Sequence, residues 1–299
     1  MYHQSFTGKI IMKRIDPYNI PNPAVHQYLL GAIGPRPIAF ASTVDKDGNP
    51  NLSPFSFFNA FGVNPTTLIF SPSRRGRDNT TKHTYENLKE VPEVVINVVT
   101  FAMVEQTSLS STEYPRGVNE FVKAGFTPLP SETIKPFRVK ESPVQFECKV
   151  RDIIETGTGG GAANLVVCEV SLIHIDESVL DEDGKIDQHK IDLVGRMGGN
   201  FYSRSSLGLF EVEKPLQKLG IGIDNLPEKI RFSDQLTGNE LGKLGNIESL
   251  PSVEEAEAYA TTNTAVAGLI GTTNVLNTAK ELLSAGKTKE ALMLLMARF

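Results

Sequence analysis

The sequence predicts a mainly β fold, a sandwich or barrel of short antiparallel strands, followed by a mostly helical C-terminal extension. Three observations carry this. Apolar residues alternate with period two in "PIAFASTV" and "SPVQFECKVRDI", the spacing that sends successive side chains to opposite faces of a strand. Asp-Gly pairs in "DKDGNP" and "LDEDGKID" supply the positive φ that tight turns demand. No glycine-rich βαβ fingerprint or Walker loop interrupts this pattern, because "GTGGG" has neither the spacing nor the context.

The elements follow in chain order. Between residues 12 and 35, "AVHQYLLGAIG" forms a helical turn among prolines and glycines. Next, Ile38, Phe40 and Ser42 face one way and Ala39, Ala41 and Thr43 the other, up to the turn at "DKDGNP". "TTLIFSPS" is a strand ending at Pro72, and "TYENLKEV" is a short helix with Thr84 as its N-cap. "EVVINVVT" is a buried strand rich in β-branched residues. In "SPVQFECKVRDI", Val144, Phe146, Cys148 and Val150 share the core face, and Gln145, Glu147, Lys149 and Arg151 the solvated face. "TGTGGGAAN" is a flexible loop leading into "LVVCEVSLIHID", where His174 reads as a satisfied buried histidine.

After residue 205 the character changes. "EVEKPLQKLGIGIDNLPEKIRFSDQLTGNELGKLG" is turn-rich with weak periodicity. Then Val275, Leu276, Ala279, Leu282 and Leu283 fall on one helical stripe, and Gly286 ends it. Thr288 caps a second helix whose stripe is Leu292, Leu295, Met296 and Phe299. The expected organisation is an N-terminal segment 1–11 that adds little to the fold and is open to disorder, a β domain 12–205, and the extension 206–299.

Bulk properties narrow the function. At 299 residues, 40% hydrophobic and 22% charged, the chain is an ordinary globular protein with a sizeable core. A net charge of −5 leaves no general nucleic-acid footprint. No apolar run approaches the roughly 20 residues of a membrane helix, and "MYHQSFTGKIIMKRID" has no secretory h-region. A cytoplasmic protein without a membrane partner is expected. Cys148 and Cys168 sit in strand-like runs and read as buried free thiols. His3, His26, His83, His174 and His189 show no paired ligand spacing, so no metal site is expected. There is no G-x-S-x-G elbow either.

One stretch asks for a ligand: "SPFSFFNAFGVNPTTLIFSPSRRGRDNTTKHTYENL", residues 53–88. It interleaves aromatic carbon with hydroxyls and amides, then adds a basic cluster on an acidic protein. That combination suits a flat, phosphorylated heteroaromatic molecule. Phe55 and Phe57 supply apolar walls, while Phe58 and Phe61 fit the core better than a ring contact. Ser53, Ser56 and Asn59 supply the few directed polar groups that orient a ring. Arg77, Lys82 and Thr84 hold the phosphate through charge-assisted bonds, beside a helix N-terminus. Arg74 and Arg75 read as solvated loop charges.

"GPRPIAFASTVDKDGNPNLSPFSFFNAFGVNP", "FSP…RRGR…KHTYENL", "ESPVQFECKV" and "GRMGGNFY" occur in series, and residues 12–204 resemble the flavin reductase-like family of FMN-binding split barrels. The resemblance implies a six-stranded antiparallel Greek-key split β-barrel with short helices, usually a homodimer with FMN near the subunit interface. It places residues 53–59, including Pro54, beside the isoalloxazine ring, and Ser71 with Pro72 at a strand end bordering it. Lys82, Thr84, Asn87 and Leu88 match a phosphate-side pattern in which His83 stands where the family has Asp. Arg36 and Thr43 match positions near the flavin, and Arg196 and Tyr202 a late motif that closes over it.

On that resemblance the flavin carries the chemistry, and no protein nucleophile or base is required. Three readings stay open. One is a reductase that passes a hydride from NADH or NADPH to FMN and electrons on to an unknown acceptor protein. Another is an FMN-bound electron carrier of flavoredoxin type. The third is a non-catalytic ligand-binding or assembly module that docks a partner through 206–299.

Overall fold

The computed structural model describes residues 11–215, 219–263, 266 and 274–298. The expectation for residues 1–11 therefore lies outside the described residues except at Ile11, as does the place of Phe299 on its stripe. The chain folds as two compact units, Arg14–Phe210 and one containing Glu211–Phe299.

The first unit opens with helix α1 (Asn22–Ala32), followed by the strands β1 (Ala39–Val44), β2 (Pro50–Phe55), β3 (Phe58–Val63) and β4 (Thr66–Phe70). Helix α2 (His83–Glu90) and strand β5 (Glu93–Val98) come next, then helices α3 (Val104–Leu109) and α4 (Glu120–Ala124). The short strands β6 (Pro128–Leu129) and β7 (Arg138–Val139) pair with each other. Two long strands, β8 (Val144–Glu155) and β9 (Asn164–Ile175), precede helix α5 (Gln188–Ile191) and the ribbon of β10 (Val194–Arg196) and β11 (Tyr202–Arg204).

Seven strands form one antiparallel sheet in the order β2-β1-β5-β8-β9-β4-β3. This corrects the expected count of six. The extra strand arises because Asn64 and Pro65 fold "FNAFGV" back onto β4 as a hairpin of its own. The two outermost strands, β2 and β3, are consecutive in the chain and joined only by Ser56 and Phe57. Three Cα steps cover at most about 11 Å, so the sheet must curl until its first and last strands are neighbours. The result is a barrel split at residues 56–57, where the Ser71 amide donates to the Phe57 carbonyl at 2.9 Å.

The alternation read in β1 holds on both faces. Ala39 and Ala41 enter the barrel interior with Phe55, Phe70, Ile96, Cys148 and Cys168, and Leu88 of α2 joins them. Ile38 and Phe40 point outward, yet they too are buried, under Phe121 and Ala124 of α4 and under Phe126. The Asp-Gly turns are as expected, with Gly48 at φ +83° and Gly184 at φ +76°. The solvated face of β8 is not. Gln145 and Glu147 are buried, because Arg138, Val139 and Ser142 lie against the first and the segment carrying Glu132 and Thr133 crosses over the second. Glu147, 0% exposed, accepts from the Glu132 and Thr133 amides at 2.8 and 2.7 Å, and His174 Nε2 lies 2.8 Å from it. His174 is satisfied, as the sequence suggested.

The second unit contains helices α6 (Glu228–Arg231), α7 (Gly238–Leu244), α8 (Val253–Thr262), α9 (Asn274–Ser284) and α10 (Thr288–Arg298). Val275, Leu276, Ala279 and Leu283 of the first stripe, and Leu292 and Leu295 of the second, lie in its core with Leu226, Ile230 and Leu244. Gly286, at φ +75°, ends α9 as expected, and Thr288 is the first residue of α10 rather than its cap. Among the described residues no helix is long and apolar enough to cross a membrane.

Candidate functional site

The seam of the barrel opens into a cleft of about 340 Å³. Pro54, Phe55 and Phe57 form its apolar wall, and Ser56, Ser71 and Ser73 border it with hydroxyls. Its far end is cationic, lined by Arg74 and by Arg75, Arg77 and Lys82, which gather around Glu113. Because β2 is an edge strand, it is paired with β1 on one side and turns its other side to this region.

The cationic end is rigid for local reasons. Asn79, in the left-handed region at φ +58°, lets its amide return to the Arg75 carbonyl at 2.9 Å. Arg75 in turn donates from its amide to Thr80 O at 2.8 Å and from its guanidinium to Thr80 Oγ1 at 3.0 Å and to Thr81 O. The glycine loop before β9 is the platform beneath this turn. Arg74 N donates to Ala162 O at 2.9 Å, and Gly161 N to Arg74 O at 3.1 Å. A Cβ on Gly160 would lie 3.2 Å from the Arg75 and Gly76 carbonyls, so glycine permits this close approach.

A smaller polar recess of about 30 Å³ adjoins the cleft and shares Arg75, Lys82 and Glu113 with it. Ser53, Thr84, Asn51 and Glu120 line it. Thr84 is buried one residue inside α2, which begins at His83 with Lys82 in the cap position. Its hydroxyl accepts from Asn51 Nδ2 at 2.9 Å instead of capping the helix, which corrects the N-cap assignment. Thr43 lies deeper, fully buried, accepting from Asn87 Nδ2 at 3.2 Å. These bonds fix α2, and with it the cationic end, to the strand that carries the apolar wall.

Of the residues singled out from sequence, Pro54, Phe55, Ser56, Phe57, Ser71, Arg77 and Lys82 meet in the cleft, and Ser53 and Thr84 in the recess. Arg36 reaches the cleft only through Ser56 Oγ, 3.5 Å from its Nε. Its other donors hold the carbonyls of Leu30 and Met197 at 2.9 Å, and that of Ile33. Arg196 stacks on Tyr202, 4.6 Å from the ring centre, and belongs with it to the β10–β11 ribbon. Asn59 lies on β3, where its side-chain oxygen accepts from the Ala60 amide at 2.8 Å.

Arg75 and Glu113 are the residues the sequence reading missed. Arg75 is mostly covered, not a solvated loop charge. Glu113 accepts from Arg75 Nε at 3.1 Å and Arg77 Nη2 at 2.8 Å, with Lys82 Nζ at 3.7 Å. Hydrogen bonds from Arg77 hold its carboxyl below the ordinary range. Burial, and then the neighbouring Arg75, lower the Lys82 ammonium. A carboxylate that draws three cations marks a place where negative charge is favoured. An apolar wall beside such a place fits a planar molecule with an anionic tail.

A family model for the flavin reductase like domain matches residues 32–190. The chain belongs to this family. An uncharacterized protein of Aquifex aeolicus is 37% identical over 181 residues, covering 60% of this chain and 90% of the relative. Among solved structures, nitrilotriacetate monooxygenase component B from Bacillus cereus superposes with a TM-score of 0.63 at 27% identity, over 69% of this chain and all (100%) of that one. The 2-nitrobenzoate 2-nitroreductase NbaA of Pseudomonas fluorescens gives 0.60 at 25% identity, over 70% of this chain and 100% of that one. The curled sheet described above is thus a flavin reductase-like split barrel, and the helical C-terminal unit lies beyond the family match.

Proposed function

We propose that this flavin reductase-like protein binds FMN in the seam cleft and acts as an oxidoreductase. The observation that carries this reading is the continuity of the cleft from the Pro54, Phe55 and Phe57 wall to the cations of the 74–82 turn. FMN held there would supply the redox chemistry, hydride uptake from NADH or NADPH and electron delivery to an acceptor protein. The protein's own residues bind and orient. The wall excludes water from one ring face, Ser56 and Ser71 direct polar contacts, and Arg75, Arg77 and Lys82 anchor the phosphate. Similarity to a monooxygenase component and a nitroreductase supports redox work over simple ligand storage.

A homodimer is part of the proposal. β3 is an edge strand with Phe61 and Val63 64% and 91% exposed, an apolar edge that a second copy would cover. The protein is proposed to act in the cytoplasm. Oxidation of NADH and of NADPH, followed with and without added FMN, tests the enzymatic reading. FMN-dependent oxidation of at least one is expected. A protein that holds FMN yet oxidises neither would be an electron carrier instead.

A further inference from the structure

Glu113 comes from the stretch between α3 and α4, 36 residues from Arg77 and 38 from Arg75, yet its carboxylate sits in the middle of the cationic end. Three positive groups, Arg75, Arg77 and Lys82, converge on it within 3.7 Å. Without it they would repel one another, and any anion entering the cleft would meet them unshared. With it, the anionic position is already claimed by the protein itself. Glu113 is also half exposed, so it can leave without breaking the core.

The partners are held unequally. Arg75 also donates to Thr80 Oγ1 and Thr81 O, through Nη1, while Nε serves Glu113. Among the described residues, Arg77 bonds Asp78 besides Glu113, through Nη2 at 3.0 Å and Nε at 3.3 Å. A phosphate monoester carries about −1.5 to −2 charge near neutrality against −1 for a carboxylate, so it wins the contest for the same donors. Uncharged ligands never enter it.

We propose that Glu113 is a built-in competitor for the ligand's phosphate, one that holds Arg75, Arg77 and Lys82 together and yields them when a phosphorylated flavin enters. This rests on the FMN reading above and deepens it, since such a competitor lowers affinity selectively for the phosphorylated form. The cleft is then built to exchange FMN, not to retain it.

The test titrates the full-length wild type, Glu113→Gln and Glu113→Asp with FMN and with riboflavin by flavin fluorescence, at fixed ionic strength. Circular dichroism melting of each variant checks the fold. Glu113→Gln is expected to tighten FMN binding roughly two- to fivefold, the scale of one exposed charge–charge interaction. Riboflavin binding should not change, and Glu113→Asp, which keeps the charge, should stay nearer the wild type for FMN. Unchanged or weaker FMN binding by Glu113→Gln, or an equal change for riboflavin, overturns the role of Glu113 while leaving the FMN reading intact. A wild type that binds FMN no better than riboflavin contradicts the phosphate site itself, and the competitor with it.

Discussion

Asn51 Nδ2 donates to Thr84 Oγ1 at 2.9 Å, with both side chains buried and 33 positions apart in the chain. This bond joins the strand of the apolar wall to the helix beside the cationic turn, so it sets the spacing between the two ends of the cleft. Asn51→Ala leaves the Thr84 hydroxyl without that donor. It should cost about 1–3 kcal/mol in stability, and FMN binding should weaken with it. Urea unfolding, with and without saturating FMN, checks both.

Lys82→Ala should raise the FMN dissociation constant about ten- to a hundredfold, the range for one charge-assisted hydrogen bond. Riboflavin, which lacks the phosphate, should bind the variant and the wild type alike. Equal losses for the two flavins would place Lys82 in the scaffold and not at the phosphate.

Glu147 sets an acid limit on the fold. Burial pushes its carboxyl up, but donors from the Thr133 hydroxyl, the Glu132 and Thr133 amides and His174 outweigh burial and hold it at about 2. The ordinary value is 4.5, so the folded state binds this proton more weakly than the unfolded chain. The stabilisation is therefore complete above about pH 4.5, fades as pH falls toward 2, and amounts to about 3 kcal/mol. In urea titrations between those pH values, Glu147→Gln should show a lower but flatter stability. A wild-type slope in the variant would mean other carboxylates carry the acid sensitivity.

The two thiols should be silent in the native protein. Burial pushes Cys148 up to about 12 and Cys168 well above its ordinary value, and both face the barrel interior. Thiol reagents at pH 8 should modify neither until urea unfolds the barrel, when both react. Fast labelling of the folded protein would show that the interior opens.

Local patterns announced much of this molecule. Period-two alternation located β1 and β8, a run of β-branched residues located β5, Asp-Gly located the turns at Gly48 and Gly184, and helical stripes located α9 and α10. The remainder was settled by distant parts of the chain. Whether Glu147 met water depended on the crossing of Glu132 and Thr133, and whether Gln145 did on β7 and Ser142, which alternation within β8 does not encode. Glu113 reached the cleft through a loop with no periodic signal. The glycine loop became a platform only because the 74–79 turn lies against it. Helices α7 and α8 were legible and overlooked: Thr237 with Glu240, and Ser252 with Glu255, are capping boxes written in the sequence.

Titration of the purified protein with FMN, followed by flavin absorbance and fluorescence, tests the central claim most directly. The cleft geometry predicts saturable uptake at micromolar FMN, with riboflavin bound more weakly. A folded protein that stays colourless and takes up no FMN at those concentrations would contradict it.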